Sequence, residues 1–573
     1  MKINIRNIIP LGIIMVLLFS ATSCEDMLST DSDRLSFEEN NTLNNPNDPF
    51  YMIAGILREV QKVGDRYVVM GELRGDLMLT SQNASVSLKE VNDFQVSQGN
   101  DYLDKRDFYN IINHCNYAIE RMDTSIFISN EKVMMPAFAA IKAIRAWTYM
   151  QLGLTYGSAI YIEKPILDLE SSLATYPTKD LDALLEALVA DILPYADVRL
   201  PSGNSVPNIF VPIKALLGDI YLYQGKYPQA AEMYYGLIDL TQGYGTFITD
   251  NFVNRWTTAS NDGVSIGNVL SYRGEAAVFI NYSDESGESD PKDLHSRLVG
   301  MTYKGNASLL PANSFIESMA AALYYYQGSG GTTTISEGDL RGIIQNRYFN
   351  LPSAYGYISL ENSTESMFLI TKFYHNAFGG SSSGYDPNNN LIEGGLVQLD
   401  KIAVLRNVHI YLRYAEAVNR MGKPTLAFAV LKHGLKRATL YDEIDVKVNP
   451  KELVSGEPFI DFQNPVFDSN VGTASRGRGL NISVPASTYV IPDFTASATS
   501  FQDSINWVEE RILEEMAAET SFEGNRFFDL LRVSKRRANH PAFMADMVSR
   551  KYDNAAAMRA RLSTDINVWF VKP

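Results

Sequence analysis

A helix–turn–helix pattern in residues 215–238 is the feature that most restricts the fold of this chain. The segment reads ALLGDIYLYQGKYPQAAEMYYGLI. Apolar side chains recur at the spacing of two helices, with a small residue where the helices approach each other. The positions that carry this spacing are Leu217, Gly218, Tyr221, Ala230, Tyr234 and Leu237. Gly225 suits the turn and Pro228 suits the first turn of the second helix, so the pattern predicts a packed helix pair.

The same spacing returns in residues 413–435, which read RYAEAVNRMGKPTLAFAVLKHGL. Both segments are typical of a tetratricopeptide repeat, although Pro424 of the second copy lies one place early. Helical periodicity also marks five other segments, at 50–60, 108–122, 137–156, 181–193 and 501–520. We therefore predict a mainly α-helical scaffold built from tetratricopeptide-like units.

The chain between the two units, from about 243 to 400, has a different composition. It contains glycine- and serine-rich stretches at 328–331 and 379–384, and short β-like runs such as Met367 to Phe373. Many of the 32 tyrosines of the chain lie here. We interpret this region as a large, loop-rich insertion with short β-strands. Binding residues are expected in it, because loops held by a rigid scaffold often carry function.

The N-terminus has the order of parts that a secretory signal peptide has. Lys2 and Arg6 form a basic start, residues 8–19 are an apolar run, and small residues follow at 21–23. The apolar run is shorter than the apolar stretch that a transmembrane helix usually needs. Residues 1–23 are therefore predicted to be a cleaved signal, and Cys24 is predicted to be the first residue of the mature chain.

Cys24 lies where bacterial lipoproteins carry their lipidated cysteine, although Ala21 stands where leucine is more usual. We predict that Cys24 is a lipid anchor; the alternative is an ordinary signal peptide followed by a chance cysteine. The only other cysteine, Cys115, lies in a helical pattern, so the mature chain would contain no intramolecular disulfide. Residues 25–41 are polar, with six acids against Arg34 alone, so the segment 24–45 is predicted to be a solvated tether between the lipid and the fold.

Charge and motifs restrict the function. The formal net charge is −16, and it becomes more negative once the signal with Lys2 and Arg6 is removed. This balance argues against nucleic acid or an anionic membrane surface as a partner. The six histidines show no HExxH spacing, and neither a Walker loop nor a GxSxG motif occurs. We predict a binding protein and not an enzyme; a glycosidase with two loop carboxylates is a minor alternative.

Residues 507–532, WVEERILEEMAAETSFEGNRFFDLLR, resemble the C-terminal signature of the SusD/RagB family, outer-membrane lipoproteins of Bacteroidetes. The resemblance is carried by Glu510, Arg511, Glu515, Glu519, Glu523, Gly524, Arg526, Asp529 and Arg532. Further family features occur in order at 71–76, 113–119, 143–149, 338–341, 371–373 and 413–417. We interpret the charged C-terminal residues as structural, because Glu and Arg at helical spacing can tie a last helix to its neighbours.

The resemblance implies a SusD-like lipoprotein at the outer membrane that faces the cell exterior. Such a protein captures an oligosaccharide or polysaccharide and delivers it to a SusC-like TonB-dependent transporter. The chain then divides into a signal peptide (1–23), a tether (24–45), an N-terminal helical region (46–242), the insertion (243–400) and a C-terminal region (401–573). Two alternatives stay open: a peptide-binding member of the same family, and a lid that assembles with the transporter while adding little affinity of its own. We expect no cofactor, and the sequence does not decide whether a structural calcium ion is bound.

A sugar ring offers an apolar face and a fringe of hydroxyls, which proteins meet with aromatic rings and with Asp, Asn or Arg side chains. Family members place such residues in the loop after the first conserved helices and in the large insertion. By that resemblance we expect ligand contacts in the loop 81–100 and from Asp76, Asn100, Tyr282, Tyr303, Tyr348, Tyr355 and Tyr357. For any single tyrosine, packing within the insertion or against the transporter is the alternative.

The predicted lipid anchor can be tested directly with Cys24→Ala. The variant is expected to leave the membrane fraction, because a signal alone provides no acyl chains to hold the mature protein in the bilayer. Cell fractionation and detergent phase partitioning measure this, and Cys115→Ala is the matched control that should stay with the membrane. Retention of the Cys24→Ala protein in the membrane would contradict the anchor.

Overall fold

The computed structural model describes most of the chain beyond the predicted tether. The described residues are 43, 45, 48–201, 209–238, 258–260, 263–265, 276–282, 298, 301–302, 306–327, 332–342, 353–360, 366–376, 391–392, 396–399, 401–441, 447–453, 456–485, 487–494 and 500–573. Cys24 and the predicted signal peptide lie outside them. Within these ranges no helix combines the length and the apolar character needed to cross a membrane.

Helices dominate the described chain. In order they are α1 (Asp48–Gln61), α2 (Gly64–Glu72), α3 (Val86–Asn92), α4 (Arg106–Arg121), α5 (Met135–Tyr156), α6 (Leu169–Leu173), α7 (Leu181–Ile192), α8 (Ile213–Gln224), α9 (Tyr227–Ile238), α10 (Asn313–Ala321), α11 (Asn407–Arg420), α12 (Pro424–Lys432), α13 (Arg437–Tyr441), α14 (Ser475–Arg478), α15 (Ser500–Thr520), α16 (Arg526–Ser534), α17 (Ala542–Ser549) and α18 (Ala555–Leu562).

The strands are short. They are β1 (Met78–Thr80), β2 (Phe127–Ile128), β3 (Glu131–Lys132), β4 (Ser158–Ile160), β5 (Thr178–Asp180), β6 (Thr258–Ser260), β7 (Gly263–Ser265), β8 (Ala276–Asn281), β9 (Leu309–Pro311), β10 (Leu323–Gln327), β11 (Thr333–Glu337), β12 (Tyr355–Ser359), β13 (Ser366–Ile370), β14 (Tyr374–Asn376), β15 (Leu391–Ile392), β16 (Leu396–Gln398) and β17 (Lys401–Arg406). They form two-stranded sheets and one three-stranded sheet of order β13-β12-β15, in which β12 and β15 run parallel.

The helices stack in a continuous series. α4 packs on α5, α5 on α7, α7 on α8, and α8 on α9; α9 then packs on α11, which packs on α12 and α15. Because α9 and α11 are neighbours in space, the chain between them leaves the scaffold and returns to the same place. The predicted fold class, a helical scaffold with a large insertion of loops and short strands, is confirmed.

The first predicted helix pair is α8 and α9. Gly225 ends α8 in the left-handed conformation at φ +72°, and Pro228 lies in the first turn of α9. Gly218 is the small residue at the contact, since a Cβ there would lie 2.6 Å from the ring of Tyr234. The Tyr234 hydroxyl donates to Asp219 at 2.5 Å. The second pair, α11 and α12, turns at Gly422, which has a φ of +81°.

Two strand pairs join the insertion to the scaffold. β1, which follows α2, pairs antiparallel with β9 of the insertion, with Met78 opposite Pro311. β8 pairs antiparallel with β17, which leads directly into α11. The insertion is therefore held at β8 and at β9 by backbone hydrogen bonds to segments next to scaffold helices.

Two glycines that are distant in sequence, Gly71 and Gly524, lie in close contact. A Cβ placed on Gly71 would lie 1.8 Å from the carbonyl oxygen of Gly524. Gly524 itself has a φ of +88°, in the left-handed region that favours glycine. The end of α2 thus packs backbone to backbone against the turn between α15 and α16.

The variant Gly71→Ala is expected to lower the free energy of unfolding by about 3 kcal/mol, because its Cβ meets a backbone atom that has no rotamer with which to move away. Denaturant unfolding followed by circular dichroism measures the change. Gly55→Ala is the control, since a Cβ on Gly55 in α1 would meet nothing within 4 Å. The control should be neutral or slightly stabilised, and an equal loss in both variants would contradict the contact.

Candidate functional site

Three buried carboxylates lie on or just after helix α15 and form ion pairs in the interior. They belong to Glu515, Glu519 and Glu523. Glu515 accepts a hydrogen bond from Arg341 Nη1 at 2.7 Å, and the same nitrogen donates to Glu519 at 2.9 Å. Arg341 also pairs with Asp339, two residues earlier, at 2.7 Å. Because Arg341 belongs to the insertion, these bonds attach the insertion to α15.

Glu519 is the hub of this arrangement. Its carboxylate accepts from Arg341, from Arg476 at 2.7 Å and from Arg406 at 3.2 Å. Burial acts to raise the pKa of Glu519, but Arg476, Arg406 and Arg341 together hold it well below its usual value. The carboxylate is therefore ionised, and one acid compensates charges that come from three separate parts of the chain.

Glu523 adds one more cation, Lys372, to the network and also binds Arg406. Its carboxylate pairs with Lys372 Nζ at 2.7 Å and with Arg406 Nε at 2.8 Å. Burial lowers the pKa of Lys372, and Glu523 opposes this effect. We name the set Asp339, Arg341, Lys372, Arg406, Arg476, Glu515, Glu519 and Glu523 the α15 ion network.

A glutamate from the N-terminal part of the chain holds the turn after α15 in place. The carboxylate of Glu72, at the end of α2, accepts from the backbone N–H groups of Phe522, Gly524, Asn525 and Arg526 at 2.8 to 3.3 Å. A buried turn with free N–H groups would be costly, and this one carboxylate satisfies four of them. The contact between Gly71 and Gly524 lies beside it.

The remaining signature residues also form ion pairs. Arg532 donates to both oxygens of Glu416 in α11 at 2.8 and 2.6 Å, and it pairs with Asp529 at 2.8 Å. Glu510 is different, because its side chain is 47% exposed and reaches only Arg537 at 3.3 Å. Most of the signature thus lies between elements in the interior, while Glu510 lies at the surface.

Asp76, a predicted ligand contact, is engaged with the protein. Arg526 donates from Nε and Nη2 to the two carboxylate oxygens of Asp76 at 2.6 and 2.8 Å, which is a bidentate pair. Asp76 is 8% exposed. It lies on the inner wall of an open cleft, so its observed role is to hold Arg526 and that wall in place.

This cleft, which we name the α10–α15 cleft, has a volume of about 320 Å³. It lies where α10 of the insertion faces α15 of the scaffold. Its charged and hydroxyl-bearing lining residues are Asp76, Ser314, Ser318, Asp339, Arg341, Arg478, Tyr489, Arg511, Glu514, Glu515, Arg526 and Arg550. Asp339, Arg341 and Glu515 of the α15 ion network line the cavity. Ser318, Glu514 and Arg550 are exposed to solvent at its rim.

Stacked arginines and aromatic rings form one side of the cleft. The Arg478 guanidinium lies 4.3 Å from the centre of the Tyr489 ring, and Arg511 lies 4.9 Å from that of Trp507. Tyr489, Trp507 and Phe428 pack on one another, with centroid distances of 5.0 Å for Phe428 to Tyr489 and 5.5 Å for Phe428 to Trp507. The arrangement holds two guanidinium groups rigidly beside the cavity.

Three other predicted contacts are buried. Tyr282 is 4% exposed, and its hydroxyl donates to the Gln61 carbonyl at 3.0 Å. Tyr355 is 1% exposed and packs between Phe315 and Phe368. Asn100 caps a short helical turn by accepting from Tyr102 N–H at 2.9 Å. A ligand that stays at the surface of the described structure does not reach these three side chains.

Tyr357 is the predicted tyrosine that reaches the surface. It lies opposite Phe368 in the β12–β13 pair, and the two partly exposed rings are 4.9 Å apart. Phe368 contacts Tyr355, which contacts Phe315 in the wall of the α10–α15 cleft. A continuous row of aromatic rings therefore joins the cleft to the surface. Tyr303 and Tyr348 lie outside the described residues.

Sequence reasoning missed several lining residues of this cleft, among them Tyr489, Arg478 and Arg550. Tyr489 and Arg478 lie in a loop-rich stretch without periodicity, and Arg550 follows α17 in a segment with no motif. Trp507 could have been singled out, because it stands directly before the glutamates of the signature. In the part of the chain that the structure describes, no three His, Cys, Asp or Glu side chains are grouped to hold a metal ion.

The fold and the C-terminal network define a SusD-like protein. The model of the SusD family matches residues 318–565. A SusD superfamily protein from Bacteroides thetaiotaomicron is similar in structure at 16% identity, with 91% of this chain and 96% of that chain covered and a TM-score of 0.52. One from Bacteroides vulgatus is similar at 14% identity, with 92% and 96% covered and a TM-score of 0.55.

A laminarin-binding SusD-like protein is also similar, at 16% identity, with 91% of this chain and 95% of that chain covered and a TM-score of 0.52. No curated protein matches the sequence. Residues 318–565 are thus similar to the SusD family, and the chain shares the fold of these SusD-like structures.

The hub role of Glu519 predicts a large loss of stability in Glu519→Gln. The variant removes the charge that compensates three buried guanidinium groups, so we expect the free energy of unfolding to fall by about 3 to 5 kcal/mol. Chemical denaturation measures it. Glu510→Gln, on the same helix but half-exposed, is the control and should change stability by less than about 0.5 kcal/mol. Similar losses in the two variants would contradict the hub.

Proposed function

We propose that this protein is a glycan receptor of the cell surface, which captures an oligosaccharide or polysaccharide and delivers it to a SusC-like TonB-dependent transporter. In this proposal Cys24 carries the lipid that holds the protein at the outer membrane, facing the exterior. The similarity of residues 318–565 to the SusD family supports a binding role without catalysis. A laminarin-binding protein with the same fold supports a sugar as the ligand.

The observation that carries the proposal is the chemistry of the α10–α15 cleft. Ser314, Ser318 and Arg550 lie around a cavity of about 320 Å³, within the range of roughly 300 to 1,000 Å³ that is usual for small-molecule pockets. Hydroxyl and guanidinium groups are hydrogen-bonding partners for sugar hydroxyls. The cavity accommodates a short portion of a chain, and its open side lets a polymer continue beyond it.

The aromatic row supplies the second requirement, an apolar surface for the sugar ring. Tyr357 and Phe368 present adjacent, partly exposed rings on β12 and β13. Since Tyr355 and Phe315 connect these rings to the cleft wall, the platform and the cleft belong to one packed unit. A glycan in the cleft is proposed to extend toward this platform.

Glycan binding can be tested with Arg550→Ala and Tyr357→Ala against a panel of neutral and acidic polysaccharides. One polysaccharide should bind to the purified chain, and each variant should weaken that binding by about tenfold through loss of a hydrogen bond or of stacking area. Affinity gel electrophoresis identifies the ligand, and calorimetry measures the affinity.

The matched controls are Arg58→Ala and Tyr51→Ala, which change exposed residues of α1, away from the cleft. Both should bind as the unmodified chain does. A tryptic peptide pool is tested in parallel. Saturable binding to peptides alone would replace the proposal with a peptide receptor. Binding to neither class would favour a lid that assembles with the transporter and adds little affinity of its own.

A further inference from the structure

A second cleft is lined by Arg74, from the same 71–76 segment as Asp76, and is not part of the proposed glycan site. It has a volume of about 550 Å³. Its lining comes from the end of α3 and the loop after it, from the last residues of the chain, and from one arginine of the early family motif. The lining residues are Arg74, Val91, Phe94, Gln95, Val96, Asn567, Val568, Phe570, Val571, Lys572 and Pro573. We name it the C-terminal cleft.

Arg74 is an unusual residue to find in its wall. The side chain is 1% exposed. Nη1 and Nη2 donate to the backbone carbonyls of Thr155 and Trp569 at 3.3 and 2.6 Å, while Nε is buried and has no hydrogen-bond partner. Within the described ranges no carboxylate forms an ion pair with Arg74. Burial lowers the pKa of Arg74 to about 9, as expected for a guanidinium without a compensating acid.

Other buried arginines of the described chain differ from Arg74, because they have carboxylate partners. Arg341, Arg406, Arg526 and Arg532 each pair with at least one carboxylate at 3.2 Å or less. A buried charge that lacks such a partner costs free energy, and the cost falls when an anion reaches it. The cleft beside Arg74 provides the space for one.

Two lysines add positive charge near Arg74. Lys572 is exposed and lines the cleft. Lys105 lies 4.3 Å from the centre of the Tyr156 ring, and its pKa is lowered by burial and then by the charge of Lys572. In the described structure neither lysine forms an ion pair. The cleft thus carries a local excess of positive charge on a chain whose net charge is −16.

No described acid forms an ion pair with these cations. The Asp565 carboxylate accepts from the backbone N–H and the side-chain amide of Asn567 at 2.9 and 3.0 Å. These hydrogen bonds and, to a smaller extent, the charge of Lys572 lower the pKa of Asp565. An anion from outside the chain would therefore find Lys572 without a direct ion-pair partner and Arg74 without a compensating acid.

The other walls are apolar. Phe94, Val96 and Phe570 line the cavity, and the ring of Phe527 covers one face of the Arg74 guanidinium at 3.8 Å. Phe94 has a φ of +54°, in the left-handed region that a non-glycine residue rarely adopts. The site therefore offers cationic donors beside apolar and aromatic surfaces.

We propose that the C-terminal cleft binds a uronic acid unit of a glycan, with its carboxylate at Lys572, close to the buried charge of Arg74, and its ring against Phe94 and Phe570. This inference rests on the proposed function, since it takes the ligand to be a sugar polymer. A uronate matches both features of the cleft, because one pyranose ring carries the anion and the apolar C–H face together. Lys572 donates to the carboxylate, and the uncompensated charge of Arg74 adds electrostatic attraction from within the cleft wall.

The test uses the purified full chain and calorimetry with trimers of galacturonate and of glucuronate, each compared with its methyl ester. The ester keeps the ring and removes only the charge. We expect at least one acid trimer to bind about tenfold more tightly than its ester. That preference should shrink when the salt concentration rises from about 50 mM to about 500 mM, because the Lys572 contribution is exposed to screening.

The variant Lys572→Met should weaken binding of the acid trimer by about threefold to tenfold and leave binding of the ester unchanged. Arg74→Gln should abolish the preference for the acid. Lys572→Met keeps the test valid if Arg74→Gln fails to fold, because Lys572 is exposed. The matched control is Lys451→Met, an exposed lysine outside both clefts, which should change nothing.

Equal affinity for acid and ester, or no effect of Lys572→Met, would overturn the inference. Tighter binding of a short peptide with a free terminal carboxylate than of either trimer would also overturn it, in favour of a peptide site. If neutral glycans bind and Arg550→Ala weakens them while no uronate preference exists, only this inference fails. If no glycan of any kind binds, the proposed function fails with it.

Discussion

The α15 ion network is the interaction on which the rest of the structure depends. Glu519 receives one arginine from the insertion, one from the end of β17 and one from α14. A buried carboxylate is tolerated only when its lone pairs are satisfied, and here each of those donors is itself a buried cation. No partner can be removed without leaving charge of the other sign uncompensated. The network therefore specifies one arrangement of insertion and scaffold, even if its net stabilisation is small.

This arrangement places both clefts. Asp339, Arg341 and Glu515 of the network line the α10–α15 cleft, so its shape follows from the pairing of Arg341 with Glu515. The turn after α15 is held by Glu72 and Gly71 of the early motif, and Arg74 of the same motif lines the C-terminal cleft. One short segment, 71–76, thus contributes to the wall of each cleft. Asp76 compensates Arg526 on one side, whereas Arg74 has no acid on the other.

Much of the scaffold was predictable from local pattern. The helix pairs at 213–238 and 407–432 follow from periodicity, a left-handed glycine and a proline in the first turn, all of which act within a few residues. The insertion with short strands follows from composition.

The site was less predictable. Asp76 has the chemistry of a ligand contact, but its partner Arg526 is 450 residues away, and nothing in the local sequence shows that the two meet.

The tyrosines illustrate the same limit. Tyr282, Tyr355 and Tyr357 are alike in sequence, yet only Tyr357 is partly exposed, because an aromatic ring with a hydroxyl suits a core as well as a surface. Tyr489 and Arg478 were missed because they lie in loops whose position depends on tertiary contacts.

The sequence by itself determined the helices, the turns and the charge of this protein, since these depend on composition and on neighbouring residues. Only the tertiary structure decided which charges are compensated and which are not. Compensation depends on distances between residues that are hundreds of positions apart. For that reason Glu519 and Arg526 have structural partners, and Arg74 has none among the described carboxylates.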